Sequence, residues 1–472
     1  MRRALFIFLI FLLLQGNILL GAEEETISFG RFGHITLYHQ SPKPSQVVLF
    51  VSGDGGWNLG VIDMARALAS LDALVVGIDI TSYLKGLARS GDKCSYCAAD
   101  FEALSKFVQK KLDFPSYVQP VLVGYSSGAT LVYATLVQAP PNTFAGAVSL
   151  GFCPDLPLSK PFCRGNGLAW QAGPKGRGYS FQPATNLQSP WIALQGTIDQ
   201  VCPAAATELY VKQVQNGEIV MLPKVGHGFS VQRNWMPQFK ETFSRLIARE
   251  KAKEPVPVAA LTDLPIVEVS ASGSVSDLMA VIISGDGGWA GIDRQIGEFL
   301  AHKGIPVVGL NSLAYFWTKR TPDGSARDLE RILVHYLRLW KKKKVILIGY
   351  SLGADVLPFM ANRLPKESLS RVSLIALLGP GRRADFEFHL TEWLGRPSEE
   401  TTYPIRPEVE KLKGLRLLCF YGEEETNSLC RDLGPALAKD VAISGGHHFG
   451  GNYDAIGETI LSEVKSPRDP LK

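Results

Sequence analysis

The chain has 472 residues, of which 46% are hydrophobic and 20% charged, with a net charge of +4. That balance excludes a disordered polymer and leaves room for two or three buried cores at ordinary domain size. It gives no electrostatic support to nucleic-acid binding, and losing Arg2 and Arg3 with a leader would reduce the charge to about +2.

Residues 1–22 form the first expected element. Arg2 and Arg3 precede an apolar run from Ala4 to Leu14, with small residues at Gly21 and Ala22, the pattern of a cleaved secretory signal. Gln15, Gly16 and Asn17 interrupt the run before it reaches the roughly 18 apolar residues of a membrane span. An exported protein is the expected product, and in an exported chain seven cysteines would form disulfides. Spacing suggests Cys153 with Cys163, Cys419 with Cys430, and a local bridge in the Cys94–Cys97 CxxC, although it cannot fix connectivity.

Next come short apolar strands alternating with helical patterns: 47–51 (VVLFV), 73–79 (ALVVGID), 120–125 (PVLVGY), 145–150 (AGAVSL) and 191–196 (WIALQG). A second series follows, at 278–284 (LMAVIIS), 305–310 (IPVVGL), 345–350 (VILIGY), 372–378 (VSLIALL) and 415–422 (LRLLCFYG). Uninterrupted apolar strands separated by helices predict a mostly parallel sheet buried on both faces, the doubly wound α/β class.

The two series are copies. SGDGGW occurs at 52–57 and 284–289, GYSxG at 124–128 and 349–353, and GHGF at 226–229 matches GHHF at 446–449. The matched landmarks draw closer together along the chain, as small deletions in the second copy would require. The proline-containing stretch 251–265 reads as a linker, giving domains at 23–250 and 266–472.

Chemistry enters with the GYSxG turns. A serine hydroxyl must stand clear of its backbone and meet a base, and a sharp strand-to-helix turn flanked by glycines meets the first need. Ser126 and Ser351 both sit in such turns. In the α/β-hydrolase order, the acid and then the histidine follow the serine. His227 is the only downstream histidine in the first half, and Asp199, in GTID, is its expected partner, although an aspartate there could simply cap a helix. In the second half His447 aligns with His227, and YGEEE supplies the acid, either Glu425 or Glu424. His448 is expected to line the loop or touch substrate, and His389 lies too early in the chain.

SGDGGW follows a strand, where backbone N–H groups can meet developing negative charge. The expected oxyanion donors are Asp286 or Gly287 with Leu352, and Asp54 or Gly55 with Ser127. As a phosphate cradle the loop lacks the Lys and Ser/Thr of a nucleotide site. No spacing of His, Cys, Asp and Glu suggests a metal centre, and no cofactor is expected. The stretches 151–188 and 379–414 fall where caps grow in this fold. The second contains Phe386, Phe388 and Trp393 beside Arg382 and Arg383, a composition suited either to a lipid headgroup region or to packing beneath a lid. Lys341 to Lys344 read as a solvated helix end.

Taken together, SGDGGW, GYSLGADVLPF, YGEEE and GGHHF resemble the second domain of the AcvB/VirJ virulence-protein family, and GYSSGATLVYA, GFCPDL and GTIDQVC resemble the first domain of its longer members. The resemblance implies two tandem α/β-hydrolase-like domains, a periplasmic location, and hydrolysis of lysyl-phosphatidylglycerol at a membrane surface by the second domain. It also leaves open a role as an envelope interaction factor associated with type IV secretion, and the site alone would also suit a general lipid esterase or lipase. If lysine is the acyl group, Glu423, Glu424 and Asp286 are the acids expected near it, with His448 as a further substrate contact.

Overall fold

A computed structural model describes residues 23–253, 261–272, 276–388 and 402–466. The expected signal segment, residues 254–260 of the linker, His389 and Trp393 lie outside the described residues.

The first sheet is built from β1 (Glu23–Phe29), β2 (Gly33–His39), β3 (Gln46–Val51), β4 (Ala73–Ile78), β5 (Val121–Tyr125) and β6 (Gly146–Leu150). A cap of three short strands follows, β7 (Asp155–Leu156), β8 (Trp170–Ala172) and β9 (Tyr179–Phe181), before β10 (Trp191–Gly196) and β11 (Gly217–Leu222) complete the main sheet. Its order is β1-β2-β4-β3-β5-β6-β10-β11. Strands β3 to β6, β10 and β11 run parallel, whereas β1 and β2 form an antiparallel hairpin on the β4 edge.

The second sheet contains β12 (Ile266–Val269), β13 (Leu278–Ile283), β14 (Val307–Leu310), β15 (Lys344–Tyr350) and β16 (Val372–Leu378). A cap ribbon of β17 (Arg383–Ala384) and β18 (Tyr403–Pro404) separates these from β19 (Leu417–Gly422) and β20 (Lys439–Ile443). The order β12-β14-β13-β15-β16-β19-β20 is that of the first sheet without its outermost strand. That strand precedes the first matched landmark, so its absence is separate from the deletions that bring the later landmarks closer together. The antiparallel edges were not foreseen, because β1, β2 and β12 lack the continuous apolar run of a strand buried on both faces.

Each sheet separates two apolar cores. In the first domain, Val47, Leu49 and Val51 of β3 face one core, and Val48 and Phe50 face the other. In β13, Met279, Val281 and Ile283 likewise oppose Ala280 and Ile282. This alternation explains why strands buried on both faces read as unbroken hydrophobic runs. The helix Met236–Lys253 extends slightly beyond the expected linker boundary, and Leu261 and Leu264 belong to the second core, so the expected linker ends as packed structure.

The disulfides are Cys94–Cys163, Cys153–Cys202 and Cys419–Cys430. This bears out the expected Cys419–Cys430 pair and corrects Cys153–Cys163 and the local Cys94–Cys97 bridge. Cys94 and Cys153 reach across to different segments of the fold, and Cys97, at the start of the helix Cys97–Lys111, is a buried free thiol. Burial pushes that thiol well above its ordinary pKa. Cys97 is therefore expected to resist iodoacetamide in the folded protein and to be the one cysteine alkylated after denaturation without reductant. Alkylation of native Cys97 at the rate of a free thiol would contradict this environment.

Candidate active site

The serine turns owe their shape to their glycines. A side chain at Gly124 would collide with the Gly128 carbonyl, and one at Gly128 would strike Ser52; Gly349 and Gly353 are confined in the same way. Ser126 and Ser351 adopt φ of 55° and 51°, a left-handed backbone that costs a non-glycine residue on the order of 1–3 kcal/mol. The strain projects each hydroxyl from the strand end while each serine N–H bonds the neighbouring strand, at Leu150 or Leu378.

In the first domain Ser126 Oγ lies 2.9 Å from His227 Nε2, and His227 Nδ1 lies 2.8 Å from Asp199 Oδ2. Asp199 is held from all sides: Val201 and Cys202 donate backbone N–H groups to Oδ1, and Gln195 donates to Oδ2. Its role as partner of the histidine and its role as a local cap coexist. Asp199, Cys202 and His227 also form the one cluster of three metal-ligand-type atoms among the described residues, but the Cys202 sulfur is committed to its disulfide.

The second domain repeats the array. Ser351 Oγ is 2.9 Å from His447 Nε2, and His447 Nδ1 is 2.5 Å from Glu425 Oε1. Glu425 is thus the acid in contact, and its other oxygen accepts the Gly422 N–H at 2.7 Å. Asp199 and Glu425 occupy the same place in matching turns, each N–H bonding the carbonyl three residues earlier. Glu424 and Glu423 are exposed, and Glu423 accepts a hydrogen bond from Ser444. His448 bonds the Tyr350 hydroxyl at 2.9 Å instead of joining the relay, and burial followed by the nearby His447 lowers its pKa.

Both SGDGGW loops fold over their serines. A Cβ built at Gly53 would lie 3.0 Å from that of Ser126, and one at Gly285 would lie 3.5 Å from that of Ser351. The turns close through Gly56 N–H to Gly53 and Gly288 N–H to Gly285. Asp54 and Gly55, and Asp286 and Gly287, follow directly on these close-lying glycines, and Ser127 and Leu352 open the helices after the nucleophiles. Asp79 accepts the Trp57 N–H at 3.0 Å, and Asn311 occupies the equivalent place beside Gly288. These braces were not singled out in the sequence, although Asp79 ends an apolar strand and Asn311 stands at the matching place. Buried Asp293 was also missed; burial pushes its carboxyl well above the usual carboxylate range, and its Oδ2 accepts the Gly285 N–H at 3.5 Å.

The first domain reaches the second loop directly. Lys106, fully buried and paired with Glu102 at 2.8 Å, points Nζ at the Asp286 carbonyl from 3.5 Å, and Asn142 donates to the Trp289 carbonyl at 3.2 Å. Phe388 stacks on Trp317 and lies beneath Lys106, while Phe386 packs among Phe316, Phe359 and Tyr403. Arg382 bonds Asn427 and Asp432, and Arg383 bonds Thr402. Packing is therefore the reading that holds for Phe386 and Phe388, while Arg382 and Arg383 stay exposed. Lys106→Met is expected to lower kcat at Ser351 about tenfold with a smaller change in KM, because loop placement acts on the transition state. Equal kcat in the variant would remove Lys106 from any positioning role.

The fold and its two Ser–His–acid arrays define a protein of the α/β serine-hydrolase class. More particularly, the chain belongs to the VirJ family of bacterial virulence proteins, whose family model matches residues 45–149 and 277–468. No curated protein matches it in sequence. Among solved structures, it is similar to an α/β serine hydrolase without lid from Xanthomonas campestris, at 20% identity over 48% of this chain and 94% of the other, with a TM-score of 0.32. A dienelactone hydrolase from Anabaena variabilis matches at 16% identity over 48% and 98% of the chains, with a TM-score of 0.35. Esterase 2 from Thermogutta terrifontis matches at 19% identity over 50% and 96%, with a TM-score of 0.34.

Proposed function

We propose that the protein is a periplasmic serine carboxyl-ester hydrolase whose principal site, Ser351–His447–Glu425, cleaves the aminoacyl ester of lysyl-phosphatidylglycerol to phosphatidylglycerol and lysine. The observation that carries this reading is a relay in hydrogen-bond register beside the exposed carboxylates of Glu423 and Glu424. Three disulfides support an oxidising compartment. No helix among the described residues is long and apolar enough to cross a membrane, so the lipid would be met at its surface.

His447 takes the Ser351 proton as Oγ attacks the lysyl carbonyl, and backbone N–H groups from the Asp286–Gly287 segment and Leu352 stabilise the oxyanion. The imidazolium then protonates the departing glycerol oxygen. Water, deprotonated by the same ring, releases lysine and restores the serine. Glu425 orients the ring throughout and balances its transient charge.

The substrate's lysine carries two ammonium groups, which the acids at the rim suit. Glu424→Lys is expected to reduce kcat/KM for lysine release from purified lysyl-phosphatidylglycerol about tenfold while changing turnover of a neutral ester less. Equal losses on both substrates would sink the charge-recognition element. Absence of lysine release by the unaltered protein would sink the substrate assignment itself.

A further inference from the structure

The first array is as complete as the second and more tightly held. The Asp199 side chain is wholly buried and accepts hydrogen bonds from His227, Gln195, Val201 and Cys202, whereas Glu425 has His447 and the Gly422 N–H. Ser126 retains its strained backbone, and the Tyr125 hydroxyl fixes the histidine loop by donating to the His227 carbonyl at 2.9 Å. A strained non-glycine residue persists where surrounding structure enforces it, characteristically at working sites.

What differs is the rim. Superposing the acid turns on Gly196 and Gly422 sets Thr197 against Glu423 and Ile198 against Glu424, so two exposed carboxylates become a hydroxyl and an exposed aliphatic group. Ile198 is 60% exposed and Val201 is 64% exposed, in the turn that carries Asp199. Val231, just beyond His227, is exposed as well. Gly228 stands where the second site has His448. The exposed side chains of this acid turn and histidine loop offer an ammonium group no counter-charge, leaving Asp54, the counterpart of Asp286, as an acid the two sites share, whereas an apolar group gains by covering these side chains.

We propose that Ser126, His227 and Asp199 form a second, independent hydrolase site, selective for carboxyl esters with an uncharged, apolar acyl group. Ser126 Oγ bonds the acyl carbon as its proton passes to His227 Nε2. The ester C–O bond then breaks, and that proton leaves with the alcohol. Water attacks the acyl-serine, gives one proton to His227, and releases the carboxylic acid as the proton returns to Ser126. The chain would thus carry two hydrolases distinguished by the charge of the acyl group each accepts.

The test uses the full chain and p-nitrophenyl butyrate as the neutral ester. With Ser351→Ala in place, butyrate hydrolysis is expected to persist, and adding Ser126→Ala should reduce it at least about a hundredfold. Adding Ile198→Glu to the Ser351→Ala chain should instead lower kcat/KM for butyrate about tenfold and raise that for the p-nitrophenyl ester of lysine. On the unaltered chain, a fluorophosphonate followed by peptide mass spectrometry should label Ser126 as well as Ser351, a readout independent of how any variant folds. Labelling confined to Ser351, or equal butyrate rates with and without Ser126→Ala, would overturn the second site. Unchanged discrimination in the Ile198→Glu protein would overturn the assigned substrate class.

Discussion

Ser351→Ala is expected to lower lysine release from lysyl-phosphatidylglycerol by about 10⁶-fold in kcat, with little change in thermal stability. The size follows from the geometry. Ser351 Oγ stands 2.9 Å from His447 Nε2, and removing it deletes both the atom that would bond the acyl carbon and the proton that the ring receives. Members of such a relay act as a unit, so deleting one forfeits most of what all three supply, while the oxyanion loop and substrate binding preserve a residual rate. Stability should scarcely change because Ser351 is only partly buried and alanine removes one hydroxyl from the turn. Lysine release, measured on the purified full chain with its folding checked by thermal denaturation, decides the matter. Retention of more than about a tenth of the rate would move the principal activity away from Ser351.

The strands and serine turns were legible because they depend on local rules. A fully buried parallel strand must be apolar along its length, and a nucleophile turn must have glycines at Gly124 and Gly128 or Gly349 and Gly353. Repetition supplied the rest: once Ser126 and Ser351 were matched, the order of acid and histidine followed in both halves. Contacts made only by the folded chain were not legible. Lys106 looks like an ordinary helix lysine, and nothing within its own segment points to the Asp286 carbonyl of another domain. Cys94 and Cys97 are neighbours in sequence, yet Cys94 bonds Cys163 while Cys97 turns into the core. The cap aromatics fit the same account, since composition alone could not distinguish a ring stacked against the other domain, as Phe388 is on Trp317, from one offered to a lipid.

The acid of the second relay, which YGEEE left undecided in sequence, gives the other large expected effect. Glu425→Gln should lower kcat by about 10⁴-fold with KM nearly unchanged, whereas Glu424→Gln should leave kcat within about threefold. Glu425 Oε1 meets His447 Nδ1 at 2.5 Å, so the carboxylate holds the ring with its Nδ1 proton inward and Nε2 free to accept from Ser351. A glutamine of the same shape can present its NH₂ to Nδ1, which favours the opposite tautomer and places a proton on Nε2. The base would then face the serine already protonated. Unlike the carboxylate, the amide cannot offset the charge of an imidazolium. Glu424 makes neither contribution, because its exposed side chain lies outside the relay, and on the proposed substrate it would act through charge alone. The two glutamine variants therefore separate acid from rim by different signatures: Glu425→Gln should slow neutral and lysyl esters alike at Ser351, and Glu424→Gln should raise KM only for the cationic one. A 10⁴-fold loss in Glu424→Gln, with Glu425→Gln active, would reverse the assignment and require the turn to shift by one residue in the working enzyme.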